Sequence, residues 1–316
     1  MKAPNASSSP LPAKANHSRS KAEELIGKTP NLRAPSATVV KLLNLLKDPN
    51  ADYDEVISCV RRDLMLTTKL LALCNSASYG LSKPIASLNQ VVQYLGYCDT
   101  LRMVMELSFG GQIGVKLPGY SMEAGTLWNH SRVAAQLAPH VLGLSKIVPT
   151  DASIAYTGGL VHDIGKVVLG QNLAPASHAE LRRIVKTEGV SWLDAESTVL
   201  GCNHAEIGAC LLRQWNIPEV IVEGVANHHN PPLEHGPKLS AVLHVVNAST
   251  HSVGASPGEL SVSIVVRNDV QVALRLTEEH LETLTLAAFE AAQQIDEQKH
   301  PETVRMPDDF EESLSF

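Results

Sequence analysis

A histidine and an aspartate stand side by side at His162 and Asp163. They lie within Gly158-Gly159-Leu160-Val161-His162-Asp163-Ile164-Gly165-Lys166, part of an otherwise apolar run from Tyr156 to Leu169. Burying an ionised carboxylate there is costly unless a cation or a hydrogen-bond donor meets it. Neighbours on a helix point roughly 100° apart, so both reach one ion only if it lies between them, against a facing helix. Other helices must then supply ligands, and the chain offers His130, His204 and the pair His228-His229. A carboxylate with several imidazoles suits Fe, Mn, Zn or Ni better than Ca or Mg. The competing reading is a hydrogen-bonded His-Asp core pair without an ion. Ten of the 13 histidines fall between His130 and His251, a concentration that favours a site over scatter.

Each candidate also has an ordinary reading of its own. His130 suits a hydrogen-bonded core histidine on an apolar helix, and His204 a neighbour of an N-terminal cap. His228 and His229 lie near a helix C-terminus, where the dipole favours imidazolium. Lys166 suits a solvated residue in the turn after Gly165. His140, His178, His235, His244 and His251 show no comparable register and are read as background. Nucleophilic serine chemistry finds no Gly-x-Ser-x-Gly elbow, and no phosphate-binding Gly-x-x-x-x-Gly-Lys loop is present. Gly158-Gly159 is read as a site of close helix approach.

The elements that must position these residues are helical. Residues 1 to 23, rich in Ser, Pro, Ala and Lys near the start, read as a disordered tail. Apolar residues then recur at helical spacing. Ser36 caps a helix through Leu46, Asp52 with Glu55 resembles a capping box, and Leu64 to Cys74 follows in register. Ser87 caps a short helix closed by Gly96, and Asp99 begins another. The second half predicts a long helix over Ser121 to Leu142 bearing His130, then Asp151 to Leu169 carrying the central stretch. Further helices span Ala176 to Thr187, Ser191 to Leu200, His204 to Trp215, a segment begun by Pro218, and Pro237 to about His251. Leu260 to Leu276 stays ambiguous, because Val262, Ile264 and Val266 alternate as a strand would. Thr277 caps a final amphipathic helix from Glu278 to about Gln298, and residues 301 to 316 form an acidic tail.

Composition narrows the function. With 26 Lys and Arg against 33 Asp and Glu, the net charge of −7 argues against a general nucleic-acid binder. No apolar run is long enough for a transmembrane helix, and no secretory h-region precedes a cleavage site. Five cysteines, odd in number and without C-x-x-C spacing, fit reduced thiols in the cytoplasm.

The combined residues resemble the HDOD branch of the HD superfamily of metal-dependent phosphohydrolases. The first half supplies Asp48-Pro49-Asn50, Arg62-Asp63 ahead of Leu70-Leu71, Asn75-Ser76-Ala77 with Tyr79-Gly80, then Ile85, Ser87-Leu88 and Leu95-Gly96. The second half supplies Leu127 to Ser131, His162 to Lys166, Gly201 to His204 with Gly208, Trp215 with Pro218, and His228-His229. The resemblance implies an all-α fold of two packed helical bundles, residues 24–115 and an HD-like bundle over 116–250. A C-terminal extension, 251–300, follows.

The same resemblance implies a bacterial signalling or regulatory module acting through a protein partner. It also implies a divalent-metal site for Fe, Mn or Zn with up to two ions. Carried over residue by residue from the related HD-GYP phosphodiesterases, His130, His162 and Asp163 would meet one ion. Asp163 would bridge to a second held by His204, His228 and His229, and Lys166 would face a substrate phosphate. Two departures bear on this: the final ligand aspartate is replaced by Asn247, and no Gly-Tyr-Pro follows the paired histidines. An amide oxygen is a weaker, neutral donor, so the ion at His130 and His162 should be the weaker one. The alternative activity is metal-dependent hydrolysis of a phosphodiester, such as a cyclic dinucleotide, with Asp163 and Lys166 as catalytic residues.

Overall fold

A computed structural model describes residues 13–46, 48, 53–76, 79, 81, 83–253 and 265–297. The expected acidic tail, the Asp52 capping box, and Val262 and Ile264 of the strand alternative fall outside these residues. The first helices are α1 (Ala13–Lys28), α2 (Ala37–Leu45), α3 (Tyr53–Arg61), α4 (Leu64–Cys74), α5 (Leu88–Leu95) and α6 (Tyr97–Ile113). A 3-10 turn at Pro118–Tyr120 leads to α7 (Thr126–Ser145), α8 (Ala152–Val161), α9 (Gly165–Asn172), α10 (Pro175–Glu188) and α11 (Trp192–Leu200). Then come α12 (His204–Gln214), α13 (Glu219–Ala226), α14 (Leu239–Ser252), α15 (Asn268–Ala273) and α16 (Glu278–Glu297). Among the described residues no β-strand occurs, so the fold is all-α.

Local chemistry sets many of the helix starts. Asp63 accepts the Leu66 amide at 3.0 Å and Ser87 the Gln90 amide at 3.3 Å. Asn203 and Glu206 form a reciprocal capping box at the start of α12. Ser36 stands at the N-cap of α2 with extended backbone but makes no side-chain cap bond. Gly96, at φ 82°, takes the left-handed conformation that ends α5 and lets α6 begin at Tyr97, two residues before the predicted start.

Three expectations are corrected. The disordered tail does not extend to residue 23, because α1 begins at Ala13. Its apolar period is weak: Ala22 is fully buried, with Leu25 and Ile26 resting on the core. The solvent-exposed pairs Arg19–Glu23, Lys21–Glu24 and Lys28–Glu24, at i,i+3 and i,i+4 spacing, lend the helix minor support. Docking on α9 and α12 does the rest; Ser18 donates to Glu206 at 2.7 Å and Asn172 to Thr29 at 2.7 Å. Second, α7 starts at Thr126 rather than Ser121, since Pro118–Tyr120 turns tightly and Gly125 sits at φ 85°. Third, the strand alternative gives way at its described end to α15, whose Val270 is buried.

A contiguous apolar core runs from Ala22 on α1 to Ile295 on α16. The expected bundle boundary at residue 115 does not interrupt it, because α6 packs on α8 and contributes Phe109 and Ile113. Leu284, Ala288, Ala291 and Ile295 form the buried stripe of α16, which lies against α7 and α14. Gly159 allows the crossing of α8 on α7, where an added β-carbon would come within 2.6 Å of the Ala134 carbonyl oxygen. Gly165 does the same between α9 and α12, where a β-carbon would overlap the His204 carbonyl. These two contacts deliver the central stretch to His130 on one side and His204 on the other.

Candidate metal centre

His162 and Asp163 occupy a tight turn between α8 and α9 rather than the interior of one helix. The Ile164 amide donates to the Val161 carbonyl at 3.0 Å and the Lys166 amide to that of Asp163 at 2.9 Å. These i→i+3 bonds project both side chains into the junction of α7, α12 and the segment after α13. His130 comes from the second turn of α7, His204 from the first turn of α12, and His228 and His229 from the turn that follows α13.

The Asp163 carboxylate is fully buried and divides these histidines into two groups. Its Oδ2 lies 3.4 Å from His130 Nε2 and 3.5 Å from His162 Nε2, and accepts from Lys166 Nζ at 2.6 Å. Its Oδ1 lies 3.4 Å from His204 Nε2 and 3.7 Å from His228 Nε2. Within the groups, His130 Nε2 faces His162 Nε2 at 3.1 Å, and His204 Nε2 faces His229 Nε2 at 2.9 Å. The potential ligand atoms of Asp163, His204, His228 and His229 all lie within 4.8 Å of one another, as do those of His130, His162 and Asp163. Either set could hold a metal ion.

Hydrogen bonds at the far side of three rings orient them. His162 Nδ1 is 2.8 Å from the Gly159 carbonyl, His228 Nδ1 is 2.7 Å from that of Val225, and His204 Nδ1 is 2.7 Å from Glu196 Oε2. With Nδ1–H donating to an oxygen, a neutral ring presents its Nε2 lone pair, and here each Nε2 faces Asp163. Burial pushes the His162 imidazole down to about 4 and those of His228 and His229 well below their usual value. Burial alone would raise the Asp163 carboxyl, but Lys166, His162, His130 and His204 hold it well below the carboxylate range. The result is a carboxylate faced by the neutral rings of His162, His228 and His229, with His130 and His204 beside them, the donor set a transition ion or zinc takes.

Buried polar atoms without a hydrogen-bond partner support that fit. Asp163 Oδ1 and His228 Nε2 are both of this kind, and they face each other. An unmet buried acceptor costs about 1–3 kcal/mol, and a cation at the Oδ1 side would satisfy both atoms. Asn247 Oδ1, on α14, is also buried without a partner. One turn further along α14, the His251 ring lies edge-on to that of His130, with centroids 5.4 Å apart.

The structure thus gathers His130, His162, Asp163, Lys166, His204, His228 and His229, and buries Asn247 on a neighbouring helix. Lys166 is not a solvated turn residue; it is buried and paired with Asp163. Two residues escaped sequence reasoning. Glu196, fully buried on α11, accepts from the His204 backbone amide at 2.8 Å and from the Tyr120 hydroxyl at 2.7 Å. A lone glutamate on a mixed helix gives no signal of burial. His251 shares a helix face with Asn247 four residues before it, and that spacing was a usable sign. His244 lies apart from the cluster, its Nδ1 3.0 Å from the His228 carbonyl and its Nε2 accepting the Arg267 amide at 3.2 Å.

Comparison with known proteins agrees with this architecture. An uncharacterized protein of Treponema pallidum (strain Nichols) is 28% identical over 263 residues, covering 81% of this chain and 49% of that protein. The chain therefore spans about half the length of this curated relative. A candidate signal transduction protein from Marinobacter aquaeolei superposes with a TM-score of 0.66 at 20% identity, covering 89% of this chain and 65% of that one. A candidate phosphohydrolase from Shewanella amazonensis superposes with a TM-score of 0.57 at 20% identity, covering 86% and 97%. At such identity these two speak for the fold. The sequence profile of the HDOD domain matches residues 32–231, a span that holds Asp163 and the histidines placed around it, and the chain belongs to the HDOD domain family.

Proposed function

We propose that the protein is a bacterial signalling module that acts by binding a protein partner and retains a metal centre at Asp163. The observation that carries the metal part is the orphaned pair Asp163 Oδ1 and His228 Nε2, facing one another beside His204 and His229. Asp163, His204, His228 and His229 would hold the better-bound ion. The His130 side is weaker, since Lys166 already occupies Oδ2 and Asn247 brings no charge. A regulatory role is favoured over turnover by Asn247 and by the absence of Gly-Tyr-Pro after His229. Adjacent Leu64 and Met65 at the start of α4 are 78% and 63% exposed, apolar surface of the kind a partner covers.

The second reading is a metal-dependent phosphodiesterase acting on a nucleotide such as a cyclic dinucleotide. Bound metal would supply Lewis-acid activation of a phosphoryl group and of water. Lys166 would then stabilise developing phosphate charge. Hydrolysis of a generic phosphodiester in Mn or Fe decides between the two. The regulatory reading expects bound metal without turnover. Metal-dependent turnover that disappears in Asp163→Ala establishes the second reading instead. Protein that binds no Fe, Mn or Zn refutes the metal centre in both.

A further inference from the structure

We infer that Glu196 is a positioning residue for His204, fixing which of its ring nitrogens is offered to the metal centre; the inference rests on the metal reading above. Glu196 Oε2 accepts both the His204 backbone amide, at 2.8 Å, and His204 Nδ1–H, at 2.7 Å. Its other oxygen, Oε1, accepts the Tyr120 hydroxyl at 2.7 Å. Both carboxylate oxygens are therefore engaged, and the group is fully buried. Tyr120 is itself held edge-on against Trp192, with centroids 6.0 Å apart, on the helix that carries Glu196. The Pro118–Tyr120 turn, α11 and α12 thus meet at one carboxylate.

Donating twice to the same Glu196 oxygen, from its backbone amide and from Nδ1, leaves His204 little rotational freedom. Its main chain is pinned at the first turn of α12 and its ring is pinned at Nδ1. Nε2 is then directed at Asp163 Oδ1, 3.4 Å away, and at His229 Nε2, 2.9 Å away. A carboxylate behind a ligand imidazole fixes the tautomer and raises the basicity of the coordinating nitrogen. His162 and His228 use backbone carbonyls for the same purpose. His204 alone of these three has a charged partner at Nδ1, so its affinity for a cation is the one a substitution can adjust without touching the backbone.

The test compares Mn(II) and Zn(II) affinity, by competition with a chelator, in wild type, Glu196→Gln and Glu196→Ala. Glu196→Ala is expected to bind roughly 10–100-fold more weakly. Glu196→Gln keeps an acceptor oxygen and loses the charge, so it should fall between. Long-range proton–nitrogen NMR of the metal-free wild type should show the hydrogen of His204 on Nδ1, a readout that needs no variant to fold. Folded variants with wild-type affinity, or a His204 whose Nδ1 carries no hydrogen, overturn the inference while the metal reading stands. A wild type that binds neither ion removes the metal reading and this inference together.

Discussion

Lowering the pH from 7.5 to 5 should destabilise the metal-free protein, because His162 and the other buried imidazoles beside it resist protonation. Burial holds its imidazole at about 4 in the folded chain against 6.5 for the free side chain. A base whose folded value is lowered stabilises the fold fully above its unfolded value and loses that stability as pH falls toward the folded one. The window is therefore pH 6.5 down to 4, where the unfolded chain binds a proton that the folded chain refuses. For His162 alone the loss by pH 5 is about 2 kcal/mol, from the linkage relation with those two values. His228 and His229, lowered well below the usual value by burial, act in the same direction and enlarge the drop. Asp163, whose folded value is depressed, loses its contribution only below about 4, the ordinary carboxylate range. Urea titrations in chelator at pH 7.5, 6.5, 5.5 and 5 measure the effect. A stability that stays level between 7.5 and 5 would mean that these rings do not sit neutral in a buried cluster.

Asp163→Ala leaves the Lys166 ammonium without its buried partner at 2.6 Å, and should lower stability by about 3–5 kcal/mol in urea titration; a loss under 1 kcal/mol would show that Lys166 escapes to water. Gly165→Ala drives a β-carbon into the His204 carbonyl, so a penalty of about 1–3 kcal/mol is expected, together with weaker metal binding as α9 moves off α12. Unchanged melting and affinity would contradict the crossing described. Asn247→Asp places an anionic donor on α14, one turn before the His251 ring that meets His130, and elemental analysis should find more metal per chain than in wild type. An unchanged metal content would separate Asn247 from the centre.

The helical class and most helix spans were legible because caps and apolar spacing are local properties. Ser87 caps its helix as read, and Asp63 and the Asn203–Glu206 box, which were not read as caps, follow the same short-range chemistry. Helix α1 was missed because its burial depends on Ala22 and on docking against α9 and α12, contacts that no window of its own sequence contains. The convergence of His130, His204 and the His228-His229 pair on Asp163 was legible in kind, through residue type and family resemblance. The division of those histidines between the two carboxylate oxygens was not. It follows from the Val161-to-Gly165 turn and from the crossing at Gly165, both set by tertiary packing. Glu196 was invisible for a related reason, since a glutamate becomes a ring-orienting acceptor only once α11 lies beside the start of α12.

Anomalous diffraction from crystals grown with Mn or Zn, collected on both sides of the metal edge, addresses the central claim most directly. The account predicts a peak coordinated by Asp163 Oδ1 with Nε2 of His204, His228 and His229, and a weaker or absent one beside His130 and His162. Density without a peak between Asp163 and those three rings, with their nitrogens hydrogen-bonded to one another or to water, would contradict it.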